Sequence, residues 1–153
     1  MKIRGFEIVS DRFRKHPNVD IKLPTRATSK SSGYDFYLPI DVTLYPNEKV
    51  LVFSDIKAYM QDDEELLLFP RSSIAIKKGV VITNTIGKVD ADYYSNPSND
   101  GGIGIALWNT SENRVTLKAG ERVCQGTFYK YLTVDNDKPL SDLRSGGIGS
   151  SGE

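Results

Sequence analysis

The 153 residues suffice for one domain with a modest core and leave no room for a second. Twenty basic and twenty acidic side chains cancel, so the basic footprint of a protein that binds DNA or RNA directly is missing, although one phosphate pocket needs only a few charges. The single Cys124 excludes an internal disulfide, the opening segment from Met1 lacks a signal-like apolar run, and no stretch approaches the roughly 20 apolar residues of a membrane span, so a cytoplasmic protein without membrane contact is expected.

Taken in chain order, the opening segment with Arg12, Arg14, Lys15 and His16 is polar and aperiodic, and is expected on the surface before a first strand near Val19 to Leu23. His16 has no second His or Cys at metal-ligand spacing, so an ordinary surface role is expected. Short runs rich in Val, Ile, Leu, Tyr and Phe then recur between turn signals, at Asp35 to Leu38, Val42 to Tyr45, Val50 to Phe53 and Ile56 to Met60. Tyr45 to Glu48 reads as a turn. Glu64 to Phe69, Val80 to Thr83, Ile103 to Asn109, Val115 to Leu117 and Arg122 to Thr133 extend the series. Only Ser72 to Lys78 looks helical, with Ser at its start and Gly79 as its stop. One short helix among many strands gives an all-β barrel or sandwich and excludes a doubly wound fold. Ser95 to Gly102 is a loop by composition, expected to cap a hairpin, and the last residues, rich in Gly and Ser, cannot form a core element.

The chemistry concentrates between Pro70 and Tyr94. Arg71, Ser72 and Ser73 at the start of a helix offer a guanidinium, two hydroxyls and unpaired amides, which suit a polyphosphate. A capped surface helix explains Ser72 equally well but leaves Arg71 unexplained, because a cation in a first helical turn is unfavourable without a nearby anion. Downstream, Asp90, Asp92 and Tyr93 suggest hydrolysis and sugar recognition, although a hairpin Asp or a packing Tyr is the ordinary reading of each alone.

Five segments stand in order: Ser32 to Phe36, Pro70 to Ser73, Asn84 to Tyr93, Gly120 to Gln125 and Arg144 to Gly152. Their order and spacing closely resemble the five motifs of the trimeric dUTP diphosphatases, or dUTPases, over about Val19 to Gly152. The resemblance implies a jelly-roll-like β-barrel of the β-clip type over residues 1–142 and a C-terminal arm over 143–153. It further implies a homotrimer with sites at subunit junctions, and hydrolysis of dUTP to dUMP and diphosphate with Mg2+ on the substrate phosphates. Such activity keeps uracil out of DNA and supplies dUMP for dTMP synthesis.

By the same resemblance Asp90 is the base that activates water for attack at the α-phosphate. A carboxylate is ionised at neutral pH and accepts a proton from a water held within reach. Tyr93 packs under the deoxyribose and leaves no room for a 2′-hydroxyl, Asn84 reads uracil with backbone groups of a hairpin after Tyr93 supplying the other base contacts, and Gly87 and Val89 also bind substrate. Arg71, Ser72 and Ser73 contact phosphates. Gln125 and Asp35 reach the metal through water only, in keeping with the reluctance of Mg2+ to dehydrate. Arg144, Ile148, Gly149, Ser150 and Ser151 form the closing arm.

Two departures stand out. Ile148 occupies the position of a Phe that stacks over uracil in the family, with a cost of about 1 kcal/mol of aromatic interaction. The 95–102 loop is longer than the tight turn of many members, and Tyr94 and Ser95 replace a polar residue and a Gly. A dCTP deaminase shares the fold, but it needs a Glu on the strand that here runs from Gly102 to Asn109 without one, and an Arg where Lys77 or Lys78 stands. A protein-binding regulator, with or without turnover, is the alternative of a different class, and the 95–102 insertion, Ile148 and the polar N-terminal segment would be its candidate surfaces. Trp108 and Leu107 are expected in the core or a subunit contact, and Cys124 as a small core hydrophobe, since no His accompanies it.

Overall fold

The computed structural model describes residues 1–142, 144 and 146–148. Five strands form the larger sheet: β2 (Thr25–Arg26), β3 (Tyr34–Tyr37), β12 (Arg122–Lys130), β7 (Glu64–Pro70) and β9 (Gly87–Asp90), adjacent in that order. A second sheet joins β5 (Lys49–Phe53), β10 (Gly104–Asn109) and β8 (Val80–Ile82). Two ribbons complete the barrel, β1 (Gly5–Ile8) with β6 (Ile56–Tyr59) and β4 (Val42–Leu44) with β11 (Val115–Leu117). These pairings are antiparallel. The fold is the expected all-β, jelly-roll-like barrel of the β-clip type.

Alternation explains why these runs became strands. Along β10, Ile105, Leu107 and Asn109 are buried while Gly104, Ala106 and Trp108 are only half-buried, and along β7 Leu66 and Leu68 point inward. Phe36, Leu66, Leu68, Val123 and Cys124 from the larger sheet share one core with Val52, Val80, Ile82, Ile105 and Leu107 from the second. Leu107 is therefore a core residue, whereas Trp108 points outward and donates its indole N–H to Asn47 Oδ1 at 3.1 Å. Cys124 is fully buried, and burial pushes its thiol well above the ordinary range, which suits a packing role.

The helix α1 (Ser72–Lys78) has the expected bounds, and Gly79 ends it at φ 68 with its N–H on the Ala75 and Ile74 carbonyls. Its cap differs from expectation. Arg71 occupies the N-cap position without a side-chain cap bond, and Ser72 is the first helical residue.

Three other expectations are corrected. Val19 to Leu23 is no strand: Ile21 packs against the core as a single anchor, and the Val19 carbonyl accepts from the Arg14 guanidinium at 2.7 Å instead of a ladder N–H. The opening segment instead supplies β1, because Phe6 packs 5.4 to 5.5 Å from the rings of Tyr34, Phe36 and Phe128. The 95–102 loop caps no hairpin: β9 pairs with β7 in one sheet and β10 with β5 and β8 in the other, so residues between them cross from sheet to sheet. Tyr93 consequently lies in a short 3-10 turn, Ala91–Tyr93, and not in a strand.

Candidate active site

Where β9 leaves the larger sheet, a cavity of about 400 Å³ opens between the two sheets. Its walls are apolar, with Leu51, Leu68, Ile82, Ile103 and Ile105, and its polar groups are Asn84, Lys88, Asp90 and Arg144. Gly87, Val89, Tyr93 and Ile148 also line it. Gly87 is needed for the closeness of β9 to β7, since a Cβ there would lie 3.1 Å from Leu68 Cβ. A tight turn presents Asn84: Thr85 sits at φ 69 and donates its N–H to the Ile82 carbonyl at 3.0 Å. The exposed Asn84 amide has no partner among the described residues.

Asp90 ends β9 half-buried, and Arg144 donates to its Oδ2 from Nη2 at 2.6 Å while Arg144 Nε reaches Asp92 Oδ1 at 3.2 Å. The guanidinium also lies 5.6 Å from the centre of the Tyr93 ring. Tyr93 is only 7 % exposed, and this burial raises its phenol above the ordinary value against the opposing pull of Asn99 and Arg144. Ile148 closes the side nearest Gly104, with its Cδ1 3.5 Å from where a Cβ on that glycine would stand. Gly149, Ser150 and Ser151 lie outside the described residues.

The other expected site residues gather elsewhere. Asp35 on β3 is held on both oxygens, by Arg71 Nε at 3.2 Å and Arg122 Nη1 at 3.1 Å. Asp35 is the anion that Arg71 required. Gln125 stands opposite Asp35 in the β12–β3 register, and Gly33 lets it approach, since a Cβ on Gly33 would meet Gln125 Oε1 at 2.6 Å. Ser72 and Ser73 follow directly, their hydroxyls without partners among the described residues.

Register measures how far apart the two groups are. Asp90 lies opposite Glu65 on β7, whereas Arg71 follows the end of that strand. The six-residue step from Glu65 to Arg71 spans roughly 20 Å at about 3.3 Å per residue. Among the described residues no group of three or more His, Cys, Asp or Glu side chains is placed to hold a metal ion.

Sequence reasoning missed Arg122 and Asn99 as parts of this neighbourhood. Arg122 was visible inside the fourth segment, but its partner Asp35 lies 87 residues away and only the strand pairing joins them. Asn99 sits in a stretch whose composition reads simply as loop.

An apolar cleft carrying a carboxylate, an unengaged amide and a buried tyrosine, in a barrel that bears a separate guanidinium and hydroxyl cluster, has the chemistry of a nucleotide-binding β-clip protein. The dUTPase family model matches residues 19–152. The chain is 42% identical to a deoxyuridine 5′-triphosphate nucleotidohydrolase of Lactococcus lactis, over 99% of both chains. It is 37% identical to the enzyme of that name from a Hydrogenobaculum species, over 87% of this chain and 92% of that one. Its structure superposes on the crystal structure of a dUTPase from Streptococcus mutans with a TM-score of 0.76 at 41% identity, covering 86% of this chain and 99% of that one. A dUTPase from phage phi11 of S. aureus shares the fold, with a TM-score of 0.70 at 19% identity over 92% of this chain and 98% of that one. The chain belongs to the dUTPase family.

Proposed function

We propose that this protein hydrolyses dUTP to dUMP and diphosphate in the cytoplasm, at sites that two or more copies of the chain build together. The observation that carries this reading is the division of the site. The cavity holds Asp90, Tyr93 and Asn84, while the Arg71, Ser72 and Ser73 cluster stands about six strand residues away along β7, roughly 20 Å by strand rise. A triphosphate held at both groups needs the cluster of a neighbouring subunit, which supports a homotrimer with shared sites.

In this reading uracil enters the cavity against Asn84 and the backbone of Gly87 and Val89. The deoxyribose lies on Tyr93, where a 2′-hydroxyl would clash. Asp90 takes the proton of a water that attacks the α-phosphate, and diphosphate leaves. Arg71, Ser72 and Ser73 of a neighbour bind the phosphates. Arg144 leaves Asp90 to clasp the terminal phosphate together with Gly149, Ser150 and Ser151, and Ile148 covers the base. In the single chain Arg144 and Ile148 line the chain's own cavity, so passage of the 143–153 arm to a neighbour is part of the proposal.

The donor chemistry fits an Mg2+ ion carried on the nucleotide. Mg2+ keeps most of its water, so the protein would meet it through water. Asp35, although held by two arginines, retains lone pairs for metal-bound waters, as does the Gln125 carbonyl beside it. When bound, the ion would neutralise charge on the phosphate oxygens. A phi11 phage dUTPase has been described with a structural Mg(II) ion.

The test is diphosphate release from dUTP, dCTP, dTTP and UTP, with Mg2+ and then with a chelator. Release from dUTP alone, falling on chelation, is expected. Ammonia from dCTP would instead assign a deaminase, and silence with all four would favour a protein-binding module. A regulatory protein partner would need a surface other than the inward-facing polar side chains of the 95–102 loop, since Asn96 and Asp100 are buried there.

A further inference from the structure

The insertion at 95–102 is packed onto the sugar side of the cavity. Asn99 Nδ2 donates to the Tyr93 hydroxyl at 2.7 Å, and that hydroxyl donates in turn to the Gly102 carbonyl at 2.9 Å. The phenol therefore has both a donor and an acceptor from one loop, and its ring is fixed at the tip as well as by packing.

Asn99 is itself held. Its Oδ1 accepts from Asn96 Nδ2 at 2.7 Å and from the Gly101 N–H at 3.1 Å. Asn96 is buried, and its amide also donates to the Tyr93 carbonyl at 2.8 Å. Gly101, at φ 82, brings the loop so close that a Cβ would meet the Tyr93 carbonyl oxygen at 2.8 Å. The far side is anchored by Lys57 on β6, whose Nζ lies 2.9 Å from Asp100 Oδ2, and by the Ser10 N–H on the same oxygen at 2.7 Å.

We propose that Asn99 is a positioning residue for sugar selection, acting through the Tyr93 hydroxyl, and that the insertion serves to present it. The inference rests on the assignment of Tyr93 as the deoxyribose platform. A ring that can tilt makes room for a 2′-hydroxyl, whereas a ring tied at its tip does not. Asn99 touches no substrate in this account.

The test compares kcat/KM for dUTP and UTP in the wild type, Asn99→Ala, Tyr93→Phe and the double variant, with thermal midpoints as a check on folding. Loss of one buried hydrogen bond should lower the dUTP over UTP preference of Asn99→Ala by roughly three- to tenfold. Tyr93→Phe removes both bonds of the hydroxyl and should lower it at least as much, and the double variant should lower it no further than Tyr93→Phe, because the Asn99 bond is already lost with the hydroxyl. An unchanged preference in Asn99→Ala, or effects that multiply in the double variant, would overturn the inference. If Asn99→Ala does not fold, Tyr93→Phe decides alone: full discrimination without the hydroxyl overturns the proposal, and reduced discrimination supports it. A wild type that fails to prefer dUTP contradicts the dUTPase assignment itself. A selective wild type with an unaffected Asn99→Ala contradicts only the role of Asn99.

Discussion

At the scale of single residues, Asp90 and Ile148 carry the sharpest consequences. Asp90→Asn keeps the shape of the cavity and removes the proton acceptor, so dUTP turnover should fall at least about a hundredfold, the size of a general-base contribution, while nucleotide binding persists. Single-turnover kinetics beside equilibrium binding separates the two, and substantial remaining turnover would remove Asp90 from the role of base. Ile148 lies against Gly104 at the cavity edge, where it covers without stacking. Ile148→Phe should tighten dUTP binding by roughly fivefold, equivalent to about 1 kcal/mol of aromatic contact. Titration calorimetry on the Asp90→Asn background would show it, and unchanged or weaker binding would count against the lost-stacking argument.

At the scale of elements, the crossing between β9 and β10 is held by a charge pair inside the barrel wall. Burial alone would raise the Asp100 carboxyl, but the Ser10 N–H and the Lys57 ammonium together hold it below the ordinary carboxylate value. Lys57→Met leaves Asp100 buried without its cation and should cost about 3 kcal/mol or more at neutral pH. Because the folded carboxyl is depressed, the wild-type pair's contribution is present above the unfolded value near about pH 3.9 and fades as pH falls through the folded one. Thermal melts of both proteins should therefore differ steadily between about pH 5 and 8 and converge only below about pH 4. A gap that closes near neutrality would contradict this.

Much at this scale was legible in the sequence. Alternating runs gave most strands of the barrel, and α1 was bounded by its Gly79 stop, because both signals are local. What local pattern could not show was which strands pair. Phe6 makes β1 a strand only through aromatic partners at Tyr34, Phe36 and Phe128, and Val19 to Leu23, apolar enough for a strand, found no ladder. The same blindness hid the site's neighbours. Motif spacing brought out Asp90, Tyr93 and Arg71, but not the tie from Asn99 to Tyr93, which depends on how a polar loop folds back.

At the scale of the whole molecule, the proposed function divides the site between more than one chain. The measurement that tests this most directly co-expresses Asp90→Asn and Arg71→Ala subunits and follows diphosphate release from dUTP. Each variant alone should be nearly inactive. With random assembly of equal amounts, about a quarter of all sites should receive an intact Asp90 from one subunit and an intact Arg71 from its neighbour, restoring that fraction of wild-type activity. Co-expressed protein no more active than the separate variants would contradict a site shared between subunits.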